Sequence, residues 1–76
     1  MTSYDRQSLE SAIATDTARG LTFEIHEGDL AYTLDLTLSE TSPPNIEAAM
    51  QAFLAANNVE VEFVADTRSY IFRAQE

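Results

Sequence analysis

The chain has 76 residues, a length that suits one domain with a single hydrophobic core. It carries 13 acidic residues against 4 basic ones, a formal net charge of -9 at pH 7, and it contains no cysteine. This charge disfavours binding to nucleic acid or to an anionic membrane, and the lack of cysteine excludes disulfides and thiolate metal sites. The apolar content of 45% argues against a disordered chain.

The N-terminal residues lack the basic flank and apolar run of a signal peptide, and no segment is apolar enough to cross a bilayer. We therefore expect a cytoplasmic protein and treat residues 1–76 as one small α+β domain. The first element is a helix over residues 3–19, with Thr2 and Asp5 at capping-box spacing and Gly20 as its end. Its apolar stripe is thin.

The most hydrophobic segment, Leu30–Leu38, alternates leucine or tyrosine with small or polar residues, which is the period of a half-buried strand. Leu21–His26 alternates in the same way, and Gly28 and Asp29 suit a two-residue type II′ turn between them. This hairpin pairs Ile25 with Tyr32, Phe23 with Leu34 and Leu21 with Leu36. Each inward residue then lies opposite another inward residue.

The second half repeats this pattern. Ser42 as N-cap and Pro43 at the first helical position begin a helix that is expected to run to about Ala56, with Asn57-Asn58 as its left-handed exit. A second hairpin follows, and it is expected to join Val59–Val64 to Tyr70–Arg73 through a turn at Asp66–Ser69. Its register places Ala65 opposite Tyr70 and Phe63 opposite Phe72.

The predicted element order is αββαββ, and residues 9–13 and 21–25 resemble residues 46–50 and 59–63, which suggests a duplicated αββ unit. Together the two units would form a four-stranded antiparallel sheet with both helices on one face. We favour the strand order 1-2-4-3 because it centres the most hydrophobic strand and leaves charged strands at the edges. In that order Asp35 and Arg73 lie on neighbouring strands, at the distance of a cross-strand ion pair.

Few residues offer site chemistry. His26 and three acids, Glu24, Glu27 and Asp29, gather near one turn, but a single histidine without a known ligand spacing is a weak metal motif. Glu60 and Glu62 share a strand face and are better explained as solubilising residues than as an acid/base pair. There is no cysteine or lysine nucleophile and no glycine-rich phosphate loop. We expect no enzymatic activity, no cofactor and no bound metal.

The uncovered face of the predicted sheet is the strongest candidate for an interaction surface. Such a face is ordinarily just solvated, yet its apolar residues and threonines could also receive a basic protein or a second copy of the chain. Its candidate residues are Glu24, His26, Thr33, Asp35, Glu60, Glu62, Val64, Ile71 and Arg73.

The acidity has two explanations. The absence of lysine and the even scatter of acids favour adaptation to concentrated salt, where carboxylate repulsion is screened. Alternatively, the acids form a binding surface, in the extreme case by imitating nucleic acid and inhibiting a DNA- or RNA-binding protein. Under both explanations the sequence predicts a non-enzymatic interaction or regulatory module. The nucleic-acid mimic is the alternative, and a small metal- or ligand-binding protein is a third hypothesis.

Overall fold

The computed structural model describes residues 5–75 and has an α+β fold. The described residues form four α-helices, one short 3-10 helix and a three-stranded antiparallel sheet. In chain order the elements are α1 (Arg6–Ala18), β1 (Phe23–His26), α2 (Glu27–Leu34), the 3-10 helix (Leu38–Glu40), α3 (Pro43–Ala49), α4 (Gln51–Asn57), β2 (Val59–Val64) and β3 (Ser69–Ala74).

The sheet has the order β1-β3-β2, so β3 lies between the two other strands. Alternation along the strands gives it an inner and an outer face. The inner face contributes Ile25, Val59, Tyr70 and Phe72 to the core, where they pack with buried residues of α1, α2 and α3. The predicted α+β class is therefore confirmed, with the core between this inner face and the helices.

Helix α1 confirms the first predicted helix. The carboxylate of Asp5 accepts a hydrogen bond from the Ser8 backbone N–H at 2.7 Å, so Asp5 is the N-cap. This hydrogen bond lowers the pKa of Asp5. The predicted cap partner Thr2 lies outside the described residues. Gly20 follows the helix with a φ of 78°, a conformation that glycine adopts without steric cost.

The predicted strand Leu30–Leu38 is wrong, because the chain enters helix α2 immediately after β1. Leucines at alternate positions are also four residues apart, and that spacing places Leu30 and Leu34 on the same face of a helix. Both side chains are buried, as is Ala31. Burial of these three side chains against the core stabilises the segment as a helix, although its apolar residues also alternate as they would in a strand.

The start of α2 explains why no hairpin forms at Gly28. His26 is the N-cap, and its Nδ1 accepts a hydrogen bond from the Gly28 backbone N–H at 3.1 Å. Glu27 and Asp29 place negative charge in the first turn, where it interacts favourably with the helix dipole. The sheet consequently has three strands in residues 5–75, and neither the order 1-2-4-3 nor the αββ duplication is confirmed.

Helix α2 ends at Asp35, which adopts a left-handed conformation with a φ of 59°. The Leu36 backbone N–H then donates to the Ala31 carbonyl at 2.8 Å, which is the hydrogen bond of a Schellman motif at a helix C-terminus. Asp35 therefore lies at a helix end and not on a strand. The predicted ion pair between Asp35 and Arg73 is wrong, since Arg73 pairs with Glu60 and Glu62 instead.

The second predicted helix is present but divided. It begins after Ser42 with Pro43 in the first turn, as expected, and ends at Asn58, whose φ is 57°. Between α3 and α4 the backbone of Met50 departs from helical geometry, with a φ of -112°. Ile46 and Met50 are nevertheless fully buried, so the predicted apolar stripe lies against the sheet.

The β2–β3 hairpin is confirmed, with a register two residues away from the predicted one. Phe63 lies opposite Tyr70, and Val61 lies opposite Phe72. Residues 65–68 form the connecting turn, in which Arg68 has a φ of 53°. Because a shift of two residues keeps every side chain on its original face, the predicted inner and outer sets of this hairpin are unchanged.

Candidate functional site on the outer face of the sheet

The face of the sheet opposite the core is here called the outer face. Its strand register places Glu24 and Glu62 directly opposite Ile71, one on each side of the central strand. The same register aligns His26 and Val64 with Ser69. The outer face consists of Glu24, His26, Glu60, Glu62, Val64, Ser69, Ile71 and Arg73.

Two predicted members of this surface lie elsewhere. Thr33 is in α2, where its hydroxyl donates to the Asp29 carbonyl at 2.9 Å, and Asp35 ends the same helix. Their placement on the sheet was wrong because it depended on the Leu30–Leu38 strand. The remaining predicted residues come from β1, β2 and β3, and these strands bring them together.

Acidic side chains dominate the outer face. Glu24, Glu60 and Glu62 are exposed, whereas Arg73 is half-buried. The guanidinium of Arg73 pairs with the carboxylate of Glu62 and lies 3.4 Å from that of Glu60. Such exposed ion pairs contribute little to stability. With three carboxylates and one guanidinium, the outer face is electrically negative.

The centre of the outer face is less polar than its rim. Ile71 and Val64 are half-buried, and Ser69, which is on the same strand as Ile71 and opposite Val64, is buried. Glu24 flanks Ile71 on one side and Glu62 flanks it on the other. An apolar centre with a charged rim is the general arrangement of a protein-binding surface.

The predicted cluster of Glu24, His26, Glu27 and Asp29 does not converge on one point. His26 uses Nδ1 to cap α2, and the carboxylate of Glu27 forms an ion pair with Arg68. Alternation stops at Glu27 because the helix begins there, so Glu27 turns into the structure while Glu24 stays on the outer face. Among residues 5–75, no group of three or more histidine or acidic side chains is arranged to hold a metal ion.

Glu60 and Glu62 are close enough to share Arg73, but both are about half exposed, at 50% and 53% of their side chains. Catalytic carboxylates depend on burial or on a neighbouring charge that separates their pKa values. Here both carboxylates face open solvent and share one guanidinium. This geometry fits an ionic surface better than an acid/base pair.

The sequence did not indicate that one carboxylate, that of Glu27, is buried and links α2 to the β2–β3 turn. The Glu27 backbone N–H donates to the Arg68 carbonyl at 2.8 Å, and their side chains form an ion pair. Nearby, the hydroxyl of buried Tyr70 has no hydrogen-bond partner within residues 5–75. Burial, with a smaller contribution from the Glu27 carboxylate, raises the pKa of Tyr70. No local pattern signals this contact, because Arg68 is distant from Glu27 in the chain.

Two further findings complete the description of the chain. Within residues 5–75, no helix combines the length and the apolar character that crossing a bilayer requires. Comparisons with protein-family models, with curated proteins and with solved structures found no match to this chain.

Proposed function

We propose that this chain is a non-enzymatic interaction module that binds a basic protein partner through the outer face of its sheet. The observation that carries the proposal is the position of Ile71 between the exposed residues Glu24 and Glu62. A partner segment with one apolar side chain between arginines or lysines would match this surface. The apolar side chain would contact Ile71 and Val64, and its basic neighbours would pair with the glutamates.

Charge supports a basic partner over a second copy of the chain. Each copy has a net charge of -9, and the outer face itself has an excess of carboxylates. Two outer faces brought together would therefore repel each other, whereas a basic protein would be attracted over a distance of about one Debye length, roughly 8–10 Å at ordinary salt. Such attraction increases the association rate and selects partners by charge.

The distribution of acids favours this module over the nucleic-acid mimic. A mimic needs its carboxylates concentrated on one face. Here exposed acids also occur on α2, on the 3-10 helix, on α3 and in the β2–β3 turn, at Asp29, Glu40, Glu47 and Asp66. The outer face combines acids with a half-buried apolar centre at Ile71 and Val64. The third hypothesis, a metal or ligand site at His26, gains no support from the geometry.

The proposal is tested with a short synthetic peptide that has one leucine between arginines, titrated into the ¹⁵N-labelled chain at low ionic strength. We expect chemical-shift changes concentrated at Glu24, Glu62 and Ile71. The double variant Glu24→Gln/Glu62→Gln should weaken binding about tenfold or more, because charged contacts at an interface contribute several-fold each. It also removes one of the two carboxylates that pair with Arg73, so the guanidinium is less neutralised and repels the basic peptide more.

The matched control is the double variant Glu47→Gln/Asp66→Asn, which changes the net charge equally at exposed sites outside the outer face. We expect it to weaken binding less than about threefold, since only long-range attraction is reduced. Equal weakening by the two double variants would mean that the peptide responds to net charge alone. That result would overturn the assignment of the outer face.

Salt dependence separates this proposal from adaptation to concentrated salt. If the acids serve a partner, we expect the chain to be folded at low ionic strength, and molar potassium chloride should raise Tm by about 8 °C or less. Circular dichroism during thermal unfolding measures this. A chain that is unfolded without salt and gains stability steeply with it would instead support solvent adaptation as the reason for its charge.

A further inference from the structure

Strand β2 is an edge strand of the sheet. It ends the order β1-β3-β2, and within residues 5–75 its one strand neighbour is β3. All six residues of Val59–Val64 pair with β3 in unbroken register, so the strand has no bulge, and its sequence contains neither proline nor glycine. Bulges and prolines are among the features that keep edge strands from pairing with other chains. This edge has neither of them.

The hydrogen-bond pattern identifies which backbone groups of β2 point away from the sheet. The Gln75 backbone N–H donates to the Asn58 carbonyl at 2.7 Å, and these residues extend the register of β2 and β3 by one position. Hydrogen-bonded and non-hydrogen-bonded positions alternate in an antiparallel pair. The even-numbered residues of β2 therefore bond to β3, whereas the N–H and C=O groups of Val59, Val61 and Phe63 point outward. Among residues 5–75, no backbone group outside the sheet bonds to these outward groups.

The side chains at this edge are of two kinds. Val61 and Phe63 pack against the core from the inner face and remain half-buried. Glu60 and Glu62 lie on the outer face, and their side chains are about half exposed. Because directly opposite residues on neighbouring strands share a face, an added strand would meet apolar and acidic positions in turn. The sequence that matches this edge alternates apolar with basic residues.

Charge selects the chain that can pair here. If β2 of a second copy paired with this edge, glutamates of the two copies would lie opposite each other, and like charges so placed are destabilising. Glu60 and Glu62 share the single guanidinium of Arg73, so the three groups together keep a negative charge. Arginine or lysine on an added strand would lie beside these glutamates and neutralise them.

We propose that β2 binds an extended basic segment of the partner protein as a fourth, antiparallel strand. Basic side chains of the segment would lie beside Glu60 and Glu62, and its apolar side chains would cover Val61 and Phe63. Hydrogen bonds between main chains would supply affinity, and the alternating side chains would supply specificity. The identity of the partner as a basic protein rests on the proposed function, to which this inference adds a mode of binding.

Hydrogen exchange of the free chain tests whether the edge is open. The N–H groups of Glu60 and Glu62 bond to β3, whereas those of Val61 and Phe63 point outward. We therefore expect the two outward amides to exchange at least about tenfold faster than their neighbours. ¹⁵N NMR measures each amide separately. Equally slow exchange at all four positions would overturn the proposal, because the edge would then be covered.

Binding is tested with a capped five-residue peptide in which valine alternates with arginine, beginning and ending with valine. In the antiparallel alignment its valine N–H groups point toward β2, and its arginine N–H groups point away. N-methylation of every valine should therefore weaken binding about tenfold or more, because it removes hydrogen bonds to the strand. N-methylation of every arginine is the matched control and should weaken binding less than about threefold. Titration into the ¹⁵N-labelled full chain at low ionic strength measures these affinities.

Val61→Pro makes the corresponding change in the chain. Proline removes the outward N–H of Val61, a position that does not hydrogen-bond to β3, and edge strands tolerate proline at such positions. This variant should weaken binding of the unmethylated peptide about tenfold. The methylated peptides decide the question with the unchanged chain if the variant does not fold.

The results separate strand addition from binding by side chains alone. No binding of the alternating peptide, equal binding of both methylated forms, or sensitivity to arginine methylation alone would overturn the fourth strand. The proposed function has its own test, in which the leucine–arginine peptide shifts Glu24, Glu62 and Ile71. Shifts at those residues without slower amide exchange at Val61 would leave the outer face as a binding surface and would make strand addition wrong.

Discussion

Phe72→Ala should lower the free energy of unfolding by about 3–5 kcal/mol, the usual cost of deleting a fully buried aromatic side chain. Phe72 is 0% exposed and lies on β3, the central strand. Its register partners are Phe23 and Val61, and the ring centroids of Phe23 and Phe72 are 6.5 Å apart. Like Tyr70, Phe72 therefore has inner-face partners on both neighbouring strands.

The total stability of a 76-residue domain is roughly 4–11 kcal/mol, so this variant should lose a large fraction of it, and at the lower end of that range it would be largely unfolded at room temperature. Urea unfolding followed by circular dichroism measures the change. Ile71→Ala is the matched control, because Ile71 is adjacent in sequence but half-buried on the outer face, and it should cost about 1 kcal/mol. Equal costs at the two positions would contradict the assignment of inner and outer faces.

Leu30→Ala should lower the free energy of unfolding by about 2–5 kcal/mol, because Leu30 is completely buried in α2. Leu38→Ala should change it by less than about 0.5 kcal/mol, since Leu38 is mostly exposed in the 3-10 helix. In a continuous strand from Leu30 to Leu38 the two side chains would share the inner face. Both substitutions would then be costly.

Urea unfolding of the two variants therefore measures which structure dominates in this segment. A large cost at Leu38, comparable with that at Leu30, would contradict helix α2 and would favour the strand. Far-ultraviolet circular dichroism of the folded Leu38→Ala protein serves as the control. Its helical signal should equal that of the unchanged chain.

Elements whose local signals and tertiary contacts agree were predicted from the sequence. Gly20 follows the end of α1, Pro43 and Asn58 bound the α3–α4 region, and the alternation from Val59 to Val64 forms β2. Asp5, which was expected inside α1 as the partner of Thr2, is instead its N-cap. Caps and turn residues act within a few positions of themselves, so their effect can be predicted without knowledge of the fold. The division at Met50 has no such local signal.

Part of the candidate site was predictable for the same reason. The side on which Glu60, Glu62 and Ile71 lie follows from alternation, and a hairpin register error of two residues leaves it unchanged. The pairing of β1 with β3 was not predictable, because it joins strands distant in sequence. That pairing places Glu24 beside Ile71 and so creates the negative rim on both sides of the apolar centre.

By itself, the sequence determined the charge of this protein, the C-terminal end of α1, the two outer ends of the α3–α4 region and the alternation of β1, β2 and β3, since each depends on composition or on near neighbours. The tertiary structure decided the conformation of residues 30–38. Leu30 and Leu34 satisfy a helical and a strand period equally, so the local pattern cannot choose between them. Burial of both leucines with Ala31 against the core, together with the contact between Glu27 and Arg68, favours the helix.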